Sequence, residues 1–394
     1  MTLLAVAEAQ GRLLALGSAL PVEQVPLSDA TGRWLAHDVT ATRDQPSADL
    51  SAMDGYAIRL VDLPGPWHIV DTSAAGGPMP GAVNPREAVR IFTGAPLPPG
   101  ADTVIMQEDV AVDGDTLTLT DTPPVATGRH VRRKGDDFTQ GQIVLKAGTR
   151  LSAQHIALAA LAGHATLPVC RGPRIALLST GSELVRPGDQ VPPGKLPASN
   201  GIMLRAMLAA LPCDVTDMGI VPDDLEAMTA KLAQARTFDI VMTSGGASVG
   251  DHDLVKHALA AAGGQVDFWK IRMRPGKPLI CGTLGEAIFL GLPGNPVSAF
   301  VTAMLFLLPL VRHLAGCKAP LPEYICAALG ADLPATASRD DYMRGHVQQG
   351  MVTPLRRQDS AGTLALAQAN CLIFRAAESD AAACGERITI LPFV

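Results

Sequence analysis

The segment TSGGASVGDHD (residues 243–253) follows the short apolar run FDIVM and leads into DLVKHALAAAG, which has the apolar spacing of a helix. A strand, a glycine-rich turn and a helix start together form a site where backbone N–H groups point at an anion. Gly245 and Gly246 allow a ligand to approach the backbone without obstruction by side chains. Asp253 places a carboxylate at the helix start, where Asp also serves as an ordinary N-cap. Taken alone, the segment is equally compatible with an anion site and with a capped turn.

The same arrangement occurs twice more in the chain. RIALL runs into STGSEL (residues 179–184), and AIFL runs into GLPGNPVS (residues 291–298) ahead of a long apolar helix pattern. In open α/β sheets, ligands bind at the carboxyl ends of the parallel strands. Three apolar strands that each end in a Gly/Ser/Thr turn therefore predict a ligand site at one edge of a parallel sheet.

Length and composition bound the class of protein. The chain has 394 residues, which is too many for one ordinary core and predicts several domains. It is 47% hydrophobic and 18% charged, as globular proteins are, and its net charge of −6 gives no reason to expect a nucleic acid partner. Four basic residues nevertheless fall within KIRMRPGK (residues 270–277), and a locally basic cleft in an acidic protein suits a small anionic substrate.

Cysteine usage and the apolar segments indicate a cytoplasmic protein. The seven cysteines are widely spaced without a CxxC motif, which argues against a disulfide framework or a structural zinc site. The N-terminal apolar run lacks a basic start and is interrupted by Glu8 and Arg12, so an amphipathic helix is favoured over a signal peptide. The apolar stretch 299–311 is too short to span a bilayer and is interpreted as a buried helix. No membrane partner is expected.

Periodicity divides the chain into alternating helical and β-rich parts. A helix is expected over residues 1–20, an extended connector over 25–45, short strands over 66–122 and a helical pattern over 149–172. Residues 173–315 form the predicted α/β unit, with helices near 201–211, 223–236, 252–262 and 297–308, and residues 320–394 form a small β-domain.

Eight motifs in order carry a resemblance to a known family. They are SAMDGYA (51–57), FTGAPLPPGADTVIMQED (92–109), RRKGDD with TQGQ (132–142), STGSEL (179–184), SNG (199–201), TSGGASVGDHD (243–253), RPGKP (274–278) and GLPGNPVS (291–298). With these motifs the sequence resembles the molybdopterin molybdenumtransferase family, which includes the E domain of gephyrin. The resemblance covers nearly the whole chain.

The resemblance implies a multidomain fold that combines α/β and β-rich parts. A central three-layer α/β domain, similar to molybdopterin adenylyltransferase, is accompanied by a β-rich domain, a discontinuous helical linker domain and a small C-terminal β-domain. The implied bounds are 1–45 plus 140–172 for the linker domain, 46–139 for the β-rich domain, 173–317 for the α/β domain and 318–394 for the C-terminal domain. The implied assembly is an elongated homodimer whose active cleft lies between the α/β domain of one subunit and the second domain of the other.

The resemblance also implies the reaction. Molybdenum from molybdate is inserted into adenylylated molybdopterin with release of AMP, assisted by Mg²⁺. The substrates are small anions, and candidate protein partners are molybdopterin adenylyltransferase and molybdoenzyme maturation proteins.

Site residues follow by matching the family motifs. The implied catalytic residues are Asp54, Thr93, Asp137, Glu183, Asp224, Asp253 and Lys270, of which Glu183, Asp224 and Asp253 are the implied Mg²⁺ ligands. Substrate binding is expected at the turns, by Thr180, Gly181, Ser244, Gly245, Gly246, Ser248, Gly250, Pro293, Gly294 and Asn295. The implied molybdate ligands are Arg274, Lys277, Ser298, Arg344 and Ser360.

Two alternative functions remain open at this point. Adenylylation of molybdopterin would need only the α/β unit, and the additional domains on both sides argue against it. A dimeric scaffold that binds a peptide segment, as gephyrin does at synapses, is the second alternative. The composition, which is poor in aromatic residues, indicates no exposed binding groove.

Overall fold

A computed structural model of the chain describes residues 3–124, 126–245 and 254–393. The helices are α1 (Val6–Ala15), α2 (Ala153–Leu161), α3 (Ser199–Leu208), α4 (Leu225–Ala235), α5 (Leu254–Ala261), α6 (Pro296–Thr302), α7 (Leu308–Leu314) and α8 (Thr363–Gln368), and a π-helical segment, Ala303–Leu307, joins α6 to α7.

The strands before the α/β unit are β1 (Val22–Pro26), β2 (Val39–Thr40), β3 (Leu50–Ser51), β4 (Gly55–Ile58), β5 (Trp67–Ser73), β6 (Glu87–Ile91), β7 (Thr103–Met106), β8 (Val110–Asp113), β9 (Thr116–Leu119), β10 (Val131–Arg132), β11 (Ile143–Leu145) and β12 (Thr166–Cys170). Those of the α/β unit are β13 (Arg174–Thr180), β14 (Leu184–Val185), β15 (Leu196–Pro197), β16 (Asp214–Val221), β17 (Ile240–Ser244), β18 (Gly264–Lys270), β19 (Met273–Arg274), β20 (Pro278–Leu284) and β21 (Ala287–Leu292). The last are β22 (Ile325–Leu329), β23 (Asp340–Gln348), β24 (Met351–Pro354), β25 (Cys371–Arg375) and β26 (Arg387–Pro392).

The central sheet has the strand order β16-β13-β17-β21-β20-β18. β16, β13, β17 and β21 run parallel, and β20 pairs antiparallel with both β21 and β18. The three apolar strands singled out in the sequence are therefore neighbours in the parallel part. Their carboxyl ends meet at one edge, as predicted, and the ligand site expected there stays a prediction.

Helices cover both faces of this sheet. Ile175 and Leu177 of β13 belong to an apolar cluster with α3, α6 and α7, whereas Ala176 and Leu178 belong to a cluster with α4 and α5 on the opposite face. Successive residues of a strand point to opposite faces, so β13 must be apolar throughout to be buried on both. The result is the predicted three-layer α/β arrangement.

The first helix packs on the α/β unit. Val6, Ala9 and Leu13 of α1 lie in the same cluster as α6 and α7. The Leu4 N–H donates to the Lys270 carbonyl at 3.2 Å. The predicted division assigned residues 1–45 to the linker domain, whereas these contacts attach their first part to the core of the α/β unit.

The segments on either side of the second unit pair with each other. β1 pairs antiparallel with β12, and β2 pairs antiparallel with β11. Val25 and Leu35 share a buried cluster with Leu151 and Val169. The exact bounds of the four domains stay a prediction.

Two further six-stranded sheets are mainly antiparallel. One has the strand order β7-β4-β6-β5-β9-β8, and the other has the order β19-β23-β24-β22-β26-β25. The pairing of β23 with both β24 and β25 closes the second sheet into a small barrel. The two-residue strand β19, which precedes the Pro-Gly turn of the α/β unit, runs parallel to β23 and ties that turn to the barrel.

The apolar helix near residue 300 is a core helix. Among the described residues, Pro296–Leu314 passes the test for a membrane span by length and composition, but 83% of that window is buried inside the structure. The helix is longer than the predicted 297–308 because α7 continues it from the π-helical segment to Leu314. Its burial against the sheet agrees with the sequence-based interpretation.

Candidate active site

A cleft of about 520 Å³ lies at the carboxyl ends of β13, β17 and β21. The lining residues that were expected to bind substrate are Thr180, Ser244, Gly245, Gly294 and Asn295. Glu183 also lines the cleft, and Ala361 and Thr363 of the C-terminal unit form part of its wall. The α/β unit and the C-terminal unit therefore both contribute walls of the cleft.

Glycine is required where two of the turns meet. Gly245 has φ +105°, and a Cβ there would lie 2.1 Å from the Thr180 carbonyl oxygen. The Gly245 N–H donates to the Leu292 carbonyl at 3.2 Å. This close approach holds the carboxyl ends of β13, β17 and β21 together at the floor of the cleft.

Asn200 connects the same turns from the first turn of α3. Its Nδ2 donates to Ser244 Oγ at 2.9 Å and to the Gly294 carbonyl at 2.8 Å. A carbonyl oxygen only accepts, so these two bonds fix the orientation of the amide. Sequence reasoning quoted the SNG motif and assigned this side chain no role, because the motif alone does not show which turns it reaches.

The implied metal ligands are placed in different ways. Glu183 lines the cleft, whereas Asp224 accepts from the Ala227 N–H at 2.8 Å as the N-cap of α4. It is the neighbouring Asp223 that contacts the STGSEL turn, since its carboxylate accepts from the Ser182 N–H at 2.9 Å. Gly246, Ser248, Gly250 and Asp253 lie outside the described residues.

The carboxylates at the cleft determine whether it can hold Mg²⁺. The described residues hold no group of three or more His, Cys, Asp or Glu side chains that could hold a metal ion. Mg²⁺ in phosphate-transferring sites is bound by one or two carboxylates together with substrate phosphates and water. Glu183 in the cleft satisfies that minimal requirement, and the capping carboxylate of Asp224 is already engaged by α4.

Two substitutions of Asp224 test whether its side chain acts as the N-cap of α4. We expect Asp224→Ala to lower the free energy of unfolding by about 1 kcal/mol, and Asp224→Asn by less than about 0.5 kcal/mol, because Asn and Asp are equally good N-caps. Urea unfolding followed by circular dichroism measures both. An equal loss in the two variants would contradict the capping assignment.

The basic turn after β19 is anchored to its neighbours. Arg274 forms a two-bonded ion pair with Asp341, with Nε–Oδ1 and Nη2–Oδ2 distances of 3.1 Å each. Burial raises the pKa of Asp341, and the charge of Arg274 opposes that rise. Lys277 is half-buried and has no ion pair with any described residue. The Nζ atom of Lys270 lies 3.8 Å from the ring centre of Trp269.

The same turn packs against the first helical turns of α6. A Cβ on Gly276, which has φ +103°, would lie 2.6 Å from Thr302 Cγ2. The hydroxyl of Thr302 donates to the carbonyl of Ser298, one turn earlier, at 2.7 Å. The Pro-Gly turn therefore packs against the short helix that carries the buried Ser298.

Arg344 is buried and holds a loop. Its side chain is 1% exposed, and it donates to the carbonyls of Arg357 at 2.7 Å and Asp359 at 2.8 Å. Burial lowers the pKa of Arg344 from its ordinary value. In the structure Nη1 and Nη2 bind backbone carbonyls, and the buried Nε has no hydrogen-bond partner among the described residues. The molybdate ligand that the resemblance implied here stays a prediction.

The loop held by Arg344 contacts the GLPGNP turn through Ser360. Ser360 Oγ accepts from Asn295 Nδ2 at 3.0 Å, and the Ser360 carbonyl accepts from the Val297 N–H at 3.1 Å. The first N–H groups of a helix lack partners within the helix, so this carbonyl satisfies one of them for α6. Ser360 thus joins the C-terminal unit to the turn that lines the cleft.

The site residues of the second unit form a separate pair. Asp54 Oδ1 accepts from the Thr93 N–H at 2.7 Å and from its hydroxyl at 2.8 Å, and these bonds lower the pKa of Asp54. Asp137 is exposed. Within residues 3–124, 126–245 and 254–393, no hydrogen bond or ion pair joins this unit to the residues of the cleft.

Family models and a solved structure define the class of protein to which the chain belongs. Family models for the "MoeA N-terminal region (domain I and II)", the "Probable molybdopterin binding domain" and the "MoeA C-terminal region (domain IV)" match residues 4–163, 176–313 and 327–393. A solved structure of a molybdopterin biosynthesis MoeA protein from Pyrococcus horikoshii aligns over 100% of both chains, with a TM-score of 0.87 and 27% identity. The cleft is thus part of a protein of the MoeA type.

Sequence relatives identify the family. The chain is 38% identical over 381 residues to the molybdopterin molybdenumtransferase of Haemophilus influenzae, covering 94% of each chain. It is 33% identical over 398 residues to that of Staphylococcus aureus (strain MSSA476), covering 98% of this chain and 94% of the relative. The chain belongs to the molybdopterin molybdenumtransferase family, a family of transferases in molybdenum cofactor biosynthesis. This confirms the resemblance stated from the motifs.

Proposed function

We propose that the protein inserts molybdenum from molybdate into adenylylated molybdopterin and releases AMP. The observation that carries this proposal is the cleft shared by three Gly/Ser/Thr turns and the Ser360 loop, in a chain that belongs to this family. In the proposed reaction an oxygen from water or molybdate attacks the AMP phosphorus, the phosphoanhydride bond of the adenylylated pterin breaks and AMP leaves. The two dithiolate sulfurs bind molybdenum, and the molybdate oxygens that they displace leave as water after protonation.

The turns supply the substrate-binding part of the proposal. Backbone N–H groups in such turns bind phosphate and similar anions. Thr180 and Ser244 place hydroxyl groups beside them, and Gly245 and Gly294 keep the approach open. Gly181, which follows Thr180 in the chain, remains a proposed binding residue. Pro293 and Asn295 shape the third turn, whose Asn295 is held by Ser360. These residues would orient the phosphates of the adenylylated pterin.

A divalent cation would offset the negative charge of the substrate phosphates. Glu183 would hold Mg²⁺ together with substrate phosphate and water. The bound ion would neutralise negative charge that develops as the phosphoanhydride breaks. Lys270 remains a proposed phosphate-binding cation, and Asp224 and Asp253 remain proposed ligands from the family resemblance.

The oxyanion subsite is proposed around the start of α6 and the basic turn. Molybdate is a tetrahedral dianion that needs cations and hydroxyl donors. Lys277, with no ion pair to a described residue, and Arg274, which is paired with Asp341, are the proposed cations. Ser298 and Ser360 are the proposed hydroxyl donors. Arg344 contributes by positioning the Ser360 loop.

A homodimer would bring the second unit into the reaction. Asp54 and Thr93 form a preorganised polar pair that has no described contact with the cleft of its own chain. We propose that this pair and Asp137 face the cleft of the partner subunit. We also propose a cytoplasmic location, with molybdopterin adenylyltransferase and molybdoenzyme maturation proteins as partners.

The test is AMP release from adenylylated molybdopterin in the presence of Mg²⁺, measured with and without molybdate. We expect release to depend on both ions. ATP turnover by the protein in the absence of molybdate would support the adenylylation alternative. No AMP release under any of these conditions from the folded protein would contradict the proposed reaction.

A further inference from the structure

A second cavity, of about 430 Å³, lies where three units of the chain meet. Trp34 of the linker segment, Leu308 of α7 and Leu391 of β26 provide apolar walls. Arg312 of α7 and Arg150 also line it. We call this space the junction cavity. It shares no lining residue with the cleft at the sheet edge.

Arg312 provides a cation that has no side-chain partner among the described residues. The side chain is half-buried, and no described residue accepts a hydrogen bond from it or forms an ion pair with it. Burial lowers the pKa of Arg312, and the nearby charge of Arg150 lowers it further. Proteins rarely keep a desolvated guanidinium unpaired, because removing a charge from water is costly unless a counter-charge replaces the water.

Arg150, in contrast, is fixed in place. Its guanidinium stacks over the Trp34 ring, with 5.3 Å from Cζ to the ring centre. Its Nη2 donates to the Ala210 carbonyl at 2.6 Å. The cavity therefore has one arginine held over an aromatic ring and one guanidinium whose donors bind no described residue. The lining acid, Glu323, is exposed and forms no ion pair with either arginine.

We propose that the junction cavity binds a small organic anion with an apolar body, such as an aromatic carboxylate or phosphate monoester. The planar fork of Arg312 matches the two oxygens of a carboxylate or phosphate. Trp34, Leu308 and Leu391 would cover the apolar body, as in small-molecule sites whose walls are mostly apolar. The site is separate from the proposed reaction and does not depend on it.

The experiment uses Cys317, which lines the cavity, as a local reporter. In full-length protein with the exposed Cys326 and Cys384 replaced by Ser, the alkylation rate of Cys317 by iodoacetamide is measured with phenyl phosphate, benzoate, benzyl alcohol or inorganic phosphate added. We expect phenyl phosphate and benzoate to slow alkylation saturably. Benzyl alcohol, without charge, and inorganic phosphate, without an apolar body, are expected to protect much more weakly.

A variant and a matched control locate the anion contact. Arg312→Met is expected to weaken phenyl phosphate protection by about tenfold or more, the size expected from losing a charge-assisted hydrogen bond. Lys318→Met removes the same charge from an exposed neighbour outside the cavity and is expected to change protection less than twofold.

Two results would overturn the proposal. One is alkylation of Cys317 that neither anion slows, which needs no variant and so does not depend on how Arg312→Met folds. The other is equal weakening by Arg312→Met and Lys318→Met, which would show a general effect of net charge. Molybdate-dependent AMP release is expected to be unchanged in Arg312→Met, so the two proposals can fail separately.

Discussion

Glu183→Gln is expected to release AMP about 100-fold more slowly than the unaltered protein at saturating molybdate. Among the described residues that line the cleft, Glu183 is the acidic one, and it follows directly on the β13 turn. Gln keeps the size and the hydrogen-bonding shape of the side chain and removes only its charge. The loss would therefore report the carboxylate as a cation-binding group. AMP release measured across a Mg²⁺ titration checks it, and a higher Mg²⁺ requirement is expected in the variant.

The matched control is Glu226→Gln in the first turn of α4. It makes the same chemical change on the same domain, at an exposed position that does not line the cleft. Its AMP release is expected to stay within twofold of the unaltered protein. If Glu183→Gln retains full AMP release at every Mg²⁺ concentration, Glu183 holds no essential cation.

Arg344→Met is expected to lower the free energy of unfolding by about 3 kcal/mol. The guanidinium is buried and donates to the carbonyls of Arg357 and Asp359. A hydrogen bond from a charged group contributes about 1.5–3 kcal/mol, and its removal leaves buried acceptors without a donor. The loop that carries Ser360 should then loosen from α6. Urea unfolding measures the global loss, and hydrogen exchange of the Val297 amide, which donates to Ser360, measures the local one.

The control for this variant is Arg357→Met. Arg357 belongs to the same loop, but its side chain is 73% exposed and pairs with the exposed Asp359. Surface ion pairs of this kind contribute at most about 1 kcal/mol, so only a small loss of stability is expected. Unchanged Val297 exchange in Arg344→Met, or equal losses in the two variants, would show that the buried guanidinium does not hold the loop.

The fold can be predicted from the sequence wherever the apolar pattern of a segment matches its burial. A strand buried on both faces must be apolar along its whole length, so RIALL, the run ending in IVM and AIFL were recognisable as central strands. The Gly/Ser/Thr turns after them follow from the need for close backbone approach, which Gly245 shows directly. The cleft at the sheet edge could therefore be predicted before any side-chain contact was known.

The remaining features depend on contacts between distant parts of the chain. Arg344 looks like an available cation in RDDYMRG, and only the folded barrel shows that carbonyls 13 and 15 residues further on occupy it. Similarly, VPDD offers two adjacent carboxylates. The backbone direction at the start of α4 turns Asp224 into the cap and Asp223 toward Ser182. Local residue types do not determine such choices, because they are settled by tertiary packing.

The packing of α1 on the α/β unit limits which fragments of this protein can be produced without exposing apolar surface. Val6, Ala9 and Leu13 cover apolar surface of α6 and α7, and Leu4 adds a backbone bond to the strand end at Lys270. A fragment limited to residues 173–317 would expose that surface to water, and exposed apolar patches promote association. The α/β unit of this chain is therefore not self-sufficient. A hybrid protein that exchanges it with a relative would need to carry the first twenty residues along with it.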